Sequence, residues 1–273
     1  MSPPNPQFMS RNPSARTHLR PFVYKTRTSK ILHFSICDMQ SKMHIGRPHE
    51  LVLAYTRLVM GFLLFSPTPS RLLMVGLGGG SMAKFCHKYL PATSIEVAEI
   101  NPYVIALRHE FEVPDDDERF HVRLEDAADY VRTSEARCDV IIADGFDANG
   151  LPASLCSSSF YDNCFDLLSP DGILVANLHC HHEHHPVYLA RLMKSFAGQV
   201  LVVNDYDGTN VIAFAFKDSD GQRSERALSN LDTLAPEAWD QLAPSFARVK
   251  SAIVDFCNGT RVITFPALTQ HLG

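Results

Sequence analysis

Apolar residues along this chain follow two rhythms. In the first fifty positions they come in short, loosely alternating runs: Phe22-Val23-Tyr24, then Ile31-Leu32-His33-Phe34-Ser35-Ile36, then Met43-His44-Ile45. Turn-prone residues separate the runs, so residues 21–50 are expected to form a small β-hairpin layer. Residues 50–65 read as an apolar helix, closed by Ser66-Pro67-Thr68-Pro69-Ser70. From Arg71 the rhythm changes. Short apolar runs at 72–75, 94–98, 121–124, 140–143 and 173–176 each precede a helical stretch. Strand–helix alternation of this kind implies a parallel sheet with helices on both faces. Two more runs, 200–203 and 211–216, follow without an intervening helix and are joined by Asn204-Asp205-Tyr206-Asp207-Gly208, which is hairpin chemistry.

The pattern therefore predicts an α/β fold: a methyltransferase-like Rossmann domain over 51–220, whose mostly parallel seven-stranded sheet ends in an antiparallel hairpin, preceded by the small N-terminal β layer. Residues 1–20, rich in Pro, Ser and Arg, read as a disordered tail. Residues 221–273 read as a weakly helical C-terminal extension in which Pro236 and Pro244 act as breaks.

Composition narrows the function classes. With 273 residues and 45% hydrophobic content the chain suits one α/β domain with small appendages, and disorder over most of its length is excluded. A net charge of -5 argues against a nucleic-acid partner held through phosphates. No apolar run approaches the ~20 residues of a membrane span, so no membrane partner is expected. Seven cysteines, odd in number and without a C-x-x-C pair, read as reduced thiols, and the first twenty residues lack the apolar core of a secretory signal. Cytoplasm is the expected compartment.

Candidate chemistry clusters at the carboxyl ends of the predicted strands. Gly76-Leu77-Gly78-Gly79-Gly80 joins the first strand of the α/β region to its helix, where glycines let the backbone approach a ligand. Glu99 lies about twenty residues on, at the end of the next strand, placed to accept hydrogen bonds from ribose hydroxyls. Together they favour a nucleoside-type ligand over a purely structural turn. Asp126, before Ala127, follows the third strand; it can reach an adenine amino group or simply cap a helix. Asp144-Gly145-Phe146-Asp147 follows the fourth strand, and two carboxylates so placed can hold a cation and accept its proton. Alternatively, Asp147-Ala148-Asn149-Gly150 is ordinary turn chemistry. The segment His179-Cys180-His181-His182-Glu183-His184-His185 offers metal ligands, but neighbouring residues cannot all face one ion; a polar loop is favoured and no metal is expected.

Gly76–Gly80, Glu99-Ile100-Asn101-Pro102, Asp126, Asp144–Asp147, Phe160-Tyr161 and Leu168-Ser169-Pro170-Asp171-Gly172-Ile173-Leu174 resemble, in order and spacing, the spermidine synthase (polyamine aminopropyltransferase) family over about residues 50–217. The resemblance implies an enzyme that transfers an aminopropyl group from decarboxylated S-adenosylmethionine to an amine such as putrescine, releasing methylthioadenosine. It implies catalytic roles for Asp144 and Tyr55, amine binding by Asp147, and donor binding by Gly76, Gly78, Gly80, Glu99, Asp126 and Ala127. By itself, Tyr55 among Leu51, Leu53, Leu58 and Val59 reads as a core aromatic. No permanently bound cofactor is expected; the partner is a small amine, and a homodimer is expected. Three positions depart from the family pattern: Gly79 stands where an aspartate is usual, Thr56 where a glutamine is common, and the ligand-binding glutamine of the N-terminal layer has no evident counterpart. Gly79 would leave room for a donor carboxylate, which keeps an ordinary S-adenosylmethionine methyltransferase in view. A non-catalytic nucleoside-binding protein of the same fold is the other alternative, and an NAD-dependent oxidoreductase fits least well.

Overall fold

The computed structural model describes residues 18–35, 38–147, 150–179, 185–205, 208–217, 231 and 234–257. Three strands come first, β1 Phe22–Lys25, β2 Ser29–Ser35 and β3 Asp38–His44, paired antiparallel in that order. The third strand begins several residues before the apolar run that marks it, because its outer half is polar. The helix expected over 50–65 is shorter: α1 spans Ala54–Val59 and tightens into a 3₁₀ segment, Met60–Leu64. Gly61 sits at that point, where a Cβ would lie 2.9 Å from Val249 and 3.0 Å from Phe214.

The α/β core follows as β4 Arg71–Val75, α2 Ser81–Tyr89, β5 Ser94–Glu99, α3 Pro102–Ile105, β6 Phe120–Leu124, α4 Ala127–Thr133, β7 Cys138–Ala143, α5 Ser158–Leu167, β8 Leu168–His179, α6 His185–Ser195, β9 Val200–Asn204 and β10 Asn210–Phe216. The seven strands are ordered β6-β5-β4-β7-β8-β10-β9; β6 to β8 pair in parallel, and β10 runs antiparallel to both its neighbours. The expected architecture is present. Its strands read as unbroken apolar runs because both faces are covered: Leu72, Met74, Val140 and Ile142 enter one core, while Leu73, Val75, Ile141 and Ala143 enter the other.

The C-terminal segment departs from its expectation. Pro236–Cys257 is one 22-residue helix, α7, with Pro236 at its start and Pro244 inside it. Proline in the first turn loses no hydrogen bond. Pro244 removes one ladder bond, but the apolar stripe Ala238, Leu242, Phe246, Val249 and Ile253 is buried throughout, and that burial outweighs the local loss. Helix α7 packs on α1, and Gln241 Oε1 accepts from Leu51 N at 3.0 Å. The element carrying Tyr55 is thereby braced from behind. On the opposite side, buried Lys84 of α2 donates to Phe111 O at 2.5 Å and contacts Met43 Sδ at 2.9 Å, tying the N-terminal sheet to the core. Burial pulls its ammonium down to a pKa of about 8. Residues 1–17 of the expected tail lie outside the described residues, as do Cys180–His184. Among the described residues, no helix is long and apolar enough to cross a membrane.

Candidate active site

From β4 the chain builds β5 and β6 on one side, then returns to build β7 and β8 on the other. At such a reversal, loops at the carboxyl ends of the strands part and leave a crevice. A cavity of about 1070 Å³ occupies this place. Its wall brings together Tyr55 from α1, Gly76 and Gly78 after β4, Glu99 after β5, Asp126 and Ala127 after β6, and Asp144 and Asp147 after β7. Gly80 is not among them. It starts α2 at φ +66°, and a side chain there would strike Val113, so its role is to turn the chain rather than to face a ligand. Gly76, at φ +92°, is needed for close approach: a Cβ would lie 2.6 Å from the carbonyl oxygen of Asp144. That glycine lets the turn after β4 and the loop after β7 sit against one another.

Asp144 is the centre of the site. Its backbone N–H donates to Val75 O at 3.0 Å, which fixes it at the strand end. Its Oδ1 accepts from Asn177 Nδ2 at 2.8 Å and its Oδ2 from the Tyr55 hydroxyl at 3.2 Å. Burial raises the carboxyl to a pKa of about 6, while those two hydrogen bonds pull the other way. The Tyr55 hydroxyl moves well above its ordinary value, chiefly through burial and then through the neighbouring Asp144 charge. At neutral pH the pair is thus a carboxylate and a neutral phenol.

Glu99 is buried at the foot of the glycine turn. Its Oε2 accepts from Leu77 N and its Oε1 from Asn101 N, both at 2.8 Å. Burial raises its pKa despite these donors. The Gly78 backbone N–H also favours its ionised form. Asp126 caps α4, accepting from Ala128 N at 2.9 Å, and also lines the cavity, so the capping alternative and the wall position hold together. Asp147 is exposed at the rim, and its backbone pairs with Gly150 in a tight turn. The intervening Ala148 and Asn149 lie outside the described residues.

Four wall residues escape a reading by motif: Gln40 and Ser41 on β3, Asn177 on β8, and Asp205 at the end of β9. Asn177 was hidden inside a strongly apolar strand, and the signal for it is one polar residue at an otherwise buried position. Asp205 lies in the hairpin connection, where it accepts from Thr209 N at 3.0 Å and from Asn210 Nδ2 at 3.0 Å.

Comparison with known proteins shows the family to which this fold and cavity belong. The model of the spermine/spermidine synthase domain matches residues 52–207. A polyamine aminopropyltransferase of Neisseria meningitidis is 36% identical over 217 residues, covering 79% of this chain and 80% of that one. The chain belongs to the spermine/spermidine synthase family. A polyamine aminopropyltransferase of Chromobacterium violaceum is also 36% identical, over 69% of this chain and 72% of its own length. In fold, a spermidine synthase crystallised with the transition-state analogue AdoDATO aligns with a TM-score of 0.59 at 20% identity, covering 86% of this chain and 88% of that one.

Against the family pattern, the three departures acquire physical content. The space beside Gly79 is filled: a Cβ there would lie 2.6 Å from Ser41 Oγ and 3.0 Å from Phe111, and Gly79 is absent from the cavity wall. The room that this glycine was expected to leave for a donor carboxylate is therefore taken by Ser41. Thr56 uses its hydroxyl on Leu53 O at 2.6 Å and is buried. Gln40 supplies a glutamine from the N-terminal sheet to the wall, where none could be placed from sequence.

Proposed function

We propose that this chain transfers an aminopropyl group from decarboxylated S-adenosylmethionine to a small amine such as putrescine, releasing methylthioadenosine. The observation that carries this reading is the charge of the cavity. Glu99, Asp126, Asp144, Asp147 and Asp205 line it, with no Lys or Arg among its described lining residues. Both reactants of aminopropyl transfer are cations, a sulfonium and an alkylammonium, and such a wall suits both. Ordinary S-adenosylmethionine adds a carboxylate that the wall would repel, which disfavours methyl transfer. A protein that merely bound a nucleoside would have no use for a carboxylate tuned like Asp144.

A primary amine has a pKa of about 10 and arrives protonated. Asp144 holds the ammonium and takes one of its protons; a carboxyl with a pKa of about 6 is ionised at neutral pH and ready to do so. The freed lone pair attacks the aminopropyl carbon, and the C–S bond breaks with its electrons leaving on sulfur. Tyr55 keeps its proton and fixes Asp144 through Oδ2. Glu99 receives the ribose hydroxyls while anchoring the glycine turn, and Asp126 with Ala127 lies beside the base. Asp147 at the rim receives the far ammonium of the acceptor. In-line positioning supplies much of the rate, and the sulfonium is already an activated leaving group.

The reading includes a cytoplasmic homodimer. Cys86, Cys138, Cys156 and Cys164, all free and buried, suit a reducing compartment, and exposed Phe22 and Tyr24 on β1 suit a subunit contact.

Mass spectrometry of the products tests the function. With the decarboxylated donor and putrescine, the amine should gain one aminopropyl group for each methylthioadenosine released. Methylated amine and S-adenosylhomocysteine, formed from ordinary S-adenosylmethionine, would overturn it.

A further inference from the structure

Among the described wall residues, Asn177 alone is both buried, at 3% exposure, and left with an unpaired side-chain atom. It stands on β8 beside β7, the strand that Asp144 follows, with the neighbouring pair Ala143 and Ala176 in register. Its Nδ2 donates to Asp144 Oδ1 at 2.8 Å. Its Oδ1 is buried and has no hydrogen-bond partner among the described residues. Buried carbonyl oxygens are nearly always paired, so an orphan on the wall of a reaction cavity asks for a donor. The amide cannot simply turn over. An ionised carboxylate only accepts hydrogen bonds, and a flipped Asn177 would set oxygen against oxygen at Asp144. The ionised base thus dictates that Oδ1 faces elsewhere in the cavity.

We infer that Asn177 orients the attacking nitrogen: its Nδ2 holds Asp144, and its Oδ1 accepts an N–H of the acceptor amine. This inference rests on the aminopropyl-transfer reading given above. An alkylammonium brings three N–H bonds. One breaks, its proton going to Asp144 and its electron pair staying on nitrogen. Two N–H bonds remain, and one of them resting on Asn177 Oδ1 restricts rotation about the C–N bond. Restricting that rotation aims the lone pair at the sulfonium-bound carbon, where the N–C bond forms as the C–S pair leaves on sulfur. Asn177 therefore serves twice, as a positioning residue for the base and as a contact for the nucleophile. An aspartate at the same place would retain the acceptor but lose the donor, and an aliphatic residue would lose both.

The test measures kcat and KM for putrescine against pH in wild-type, Asn177→Leu and Asn177→Asp, with methylthioadenosine affinity as the control for the fold. Other titratable groups on the wall are His18, Tyr55, Glu99, Asp126, Asp147 and Asp205, and none of them is changed. Asn177→Leu should lower kcat about 10- to 100-fold, the scale of a hydrogen bond to a charged group. It should also move the acid limb of kcat/KM upward, because a bond favouring the ionised base is gone. Asn177→Asp should move that limb further upward, since two carboxyls at hydrogen-bond distance share a proton. Methylthioadenosine affinity should stay within about threefold in both. Wild-type kcat with an unmoved acid limb in Asn177→Leu overturns the inference. Should that variant not fold, an unmoved limb in Asn177→Asp overturns it alone. Absence of amine-dependent methylthioadenosine release by the wild-type protein would instead overturn the reading of the reaction.

Discussion

Asp144→Asn should make this protein more stable at neutral pH while disabling it. The side chain is nearly isosteric: the new amide oxygen can accept from Asn177 Nδ2, and its NH₂ can face the Tyr55 hydroxyl oxygen. What changes is the cost of a charge. Burial lifts the Asp144 carboxyl from 3.8 to about 6, so the folded protein holds this proton more tightly than the unfolded chain does. As pH rises through that window the unfolded chain releases the proton first, and the wild-type protein loses stability until the folded group has also ionised. At about 1.4 kcal/mol per pH unit, the loss is at most about 3 kcal/mol. Water at the cavity mouth screens the carboxylate, which brings the expected figure to about 1–2 kcal/mol. The variant has no proton to lose at this position. Urea denaturation of both proteins at pH 4 and pH 7 gives the answer, because constant differences between the amide and the acid cancel. The variant should gain about 1–2 kcal/mol on the wild-type protein between the two pH values. Equal differences at both pH values would refute the argument that burial destabilises the ionised base.

Tyr55→Phe removes a hydrogen bond that favours ionised Asp144, so the acid limb of kcat/KM should shift to higher pH and kcat should fall about tenfold; an unmoved limb in a pH–rate profile would detach Tyr55 from the base. Glu99→Ala leaves the N–H groups of Leu77 and Asn101 without their acceptor, so it should weaken methylthioadenosine binding by about 1.5–3 kcal/mol and also lower thermal stability; calorimetry showing intact affinity in a folded variant would contradict the ribose assignment. Because the cavity wall carries five carboxylates, decarboxylated S-adenosylmethionine should bind at least about tenfold more tightly than the ordinary form; similar affinities in a competition titration would contradict the charge argument.

Much of this was legible in the sequence, for identifiable reasons. Strands buried on both faces announce themselves as unbroken apolar runs, so the order of the core from Leu72 to Phe216 could be read directly. Carboxylates at strand ends were equally plain, and Asp126 needed no choice between cap and wall because an N-cap aspartate at a cavity edge does both. Where reading failed, tertiary contacts decided. Pro244 looked like a break, but the apolar stripe of α7 lies on α1 and the 3₁₀ segment, and no local rule contains that burial. Gly79 looked like open space until Ser41, thirty-eight positions earlier, proved to fill it. Gln40 and Ser41 on the N-terminal sheet and Asn177 inside β8 line one cavity only in the assembled fold, so no neighbouring residues announce them.

In the proposed reaction Asp144 removes the proton that makes the acceptor a nucleophile. The most direct test of this step is the pH dependence of kcat/KM for putrescine in the wild-type protein and in Asp144→Asn. The wild-type acid limb should fall near pH 6, where Asp144 protonates, and the variant should be at least about 100-fold slower with that limb gone. Wild-type kcat in Asp144→Asn, with methylthioadenosine still bound normally, would contradict this step.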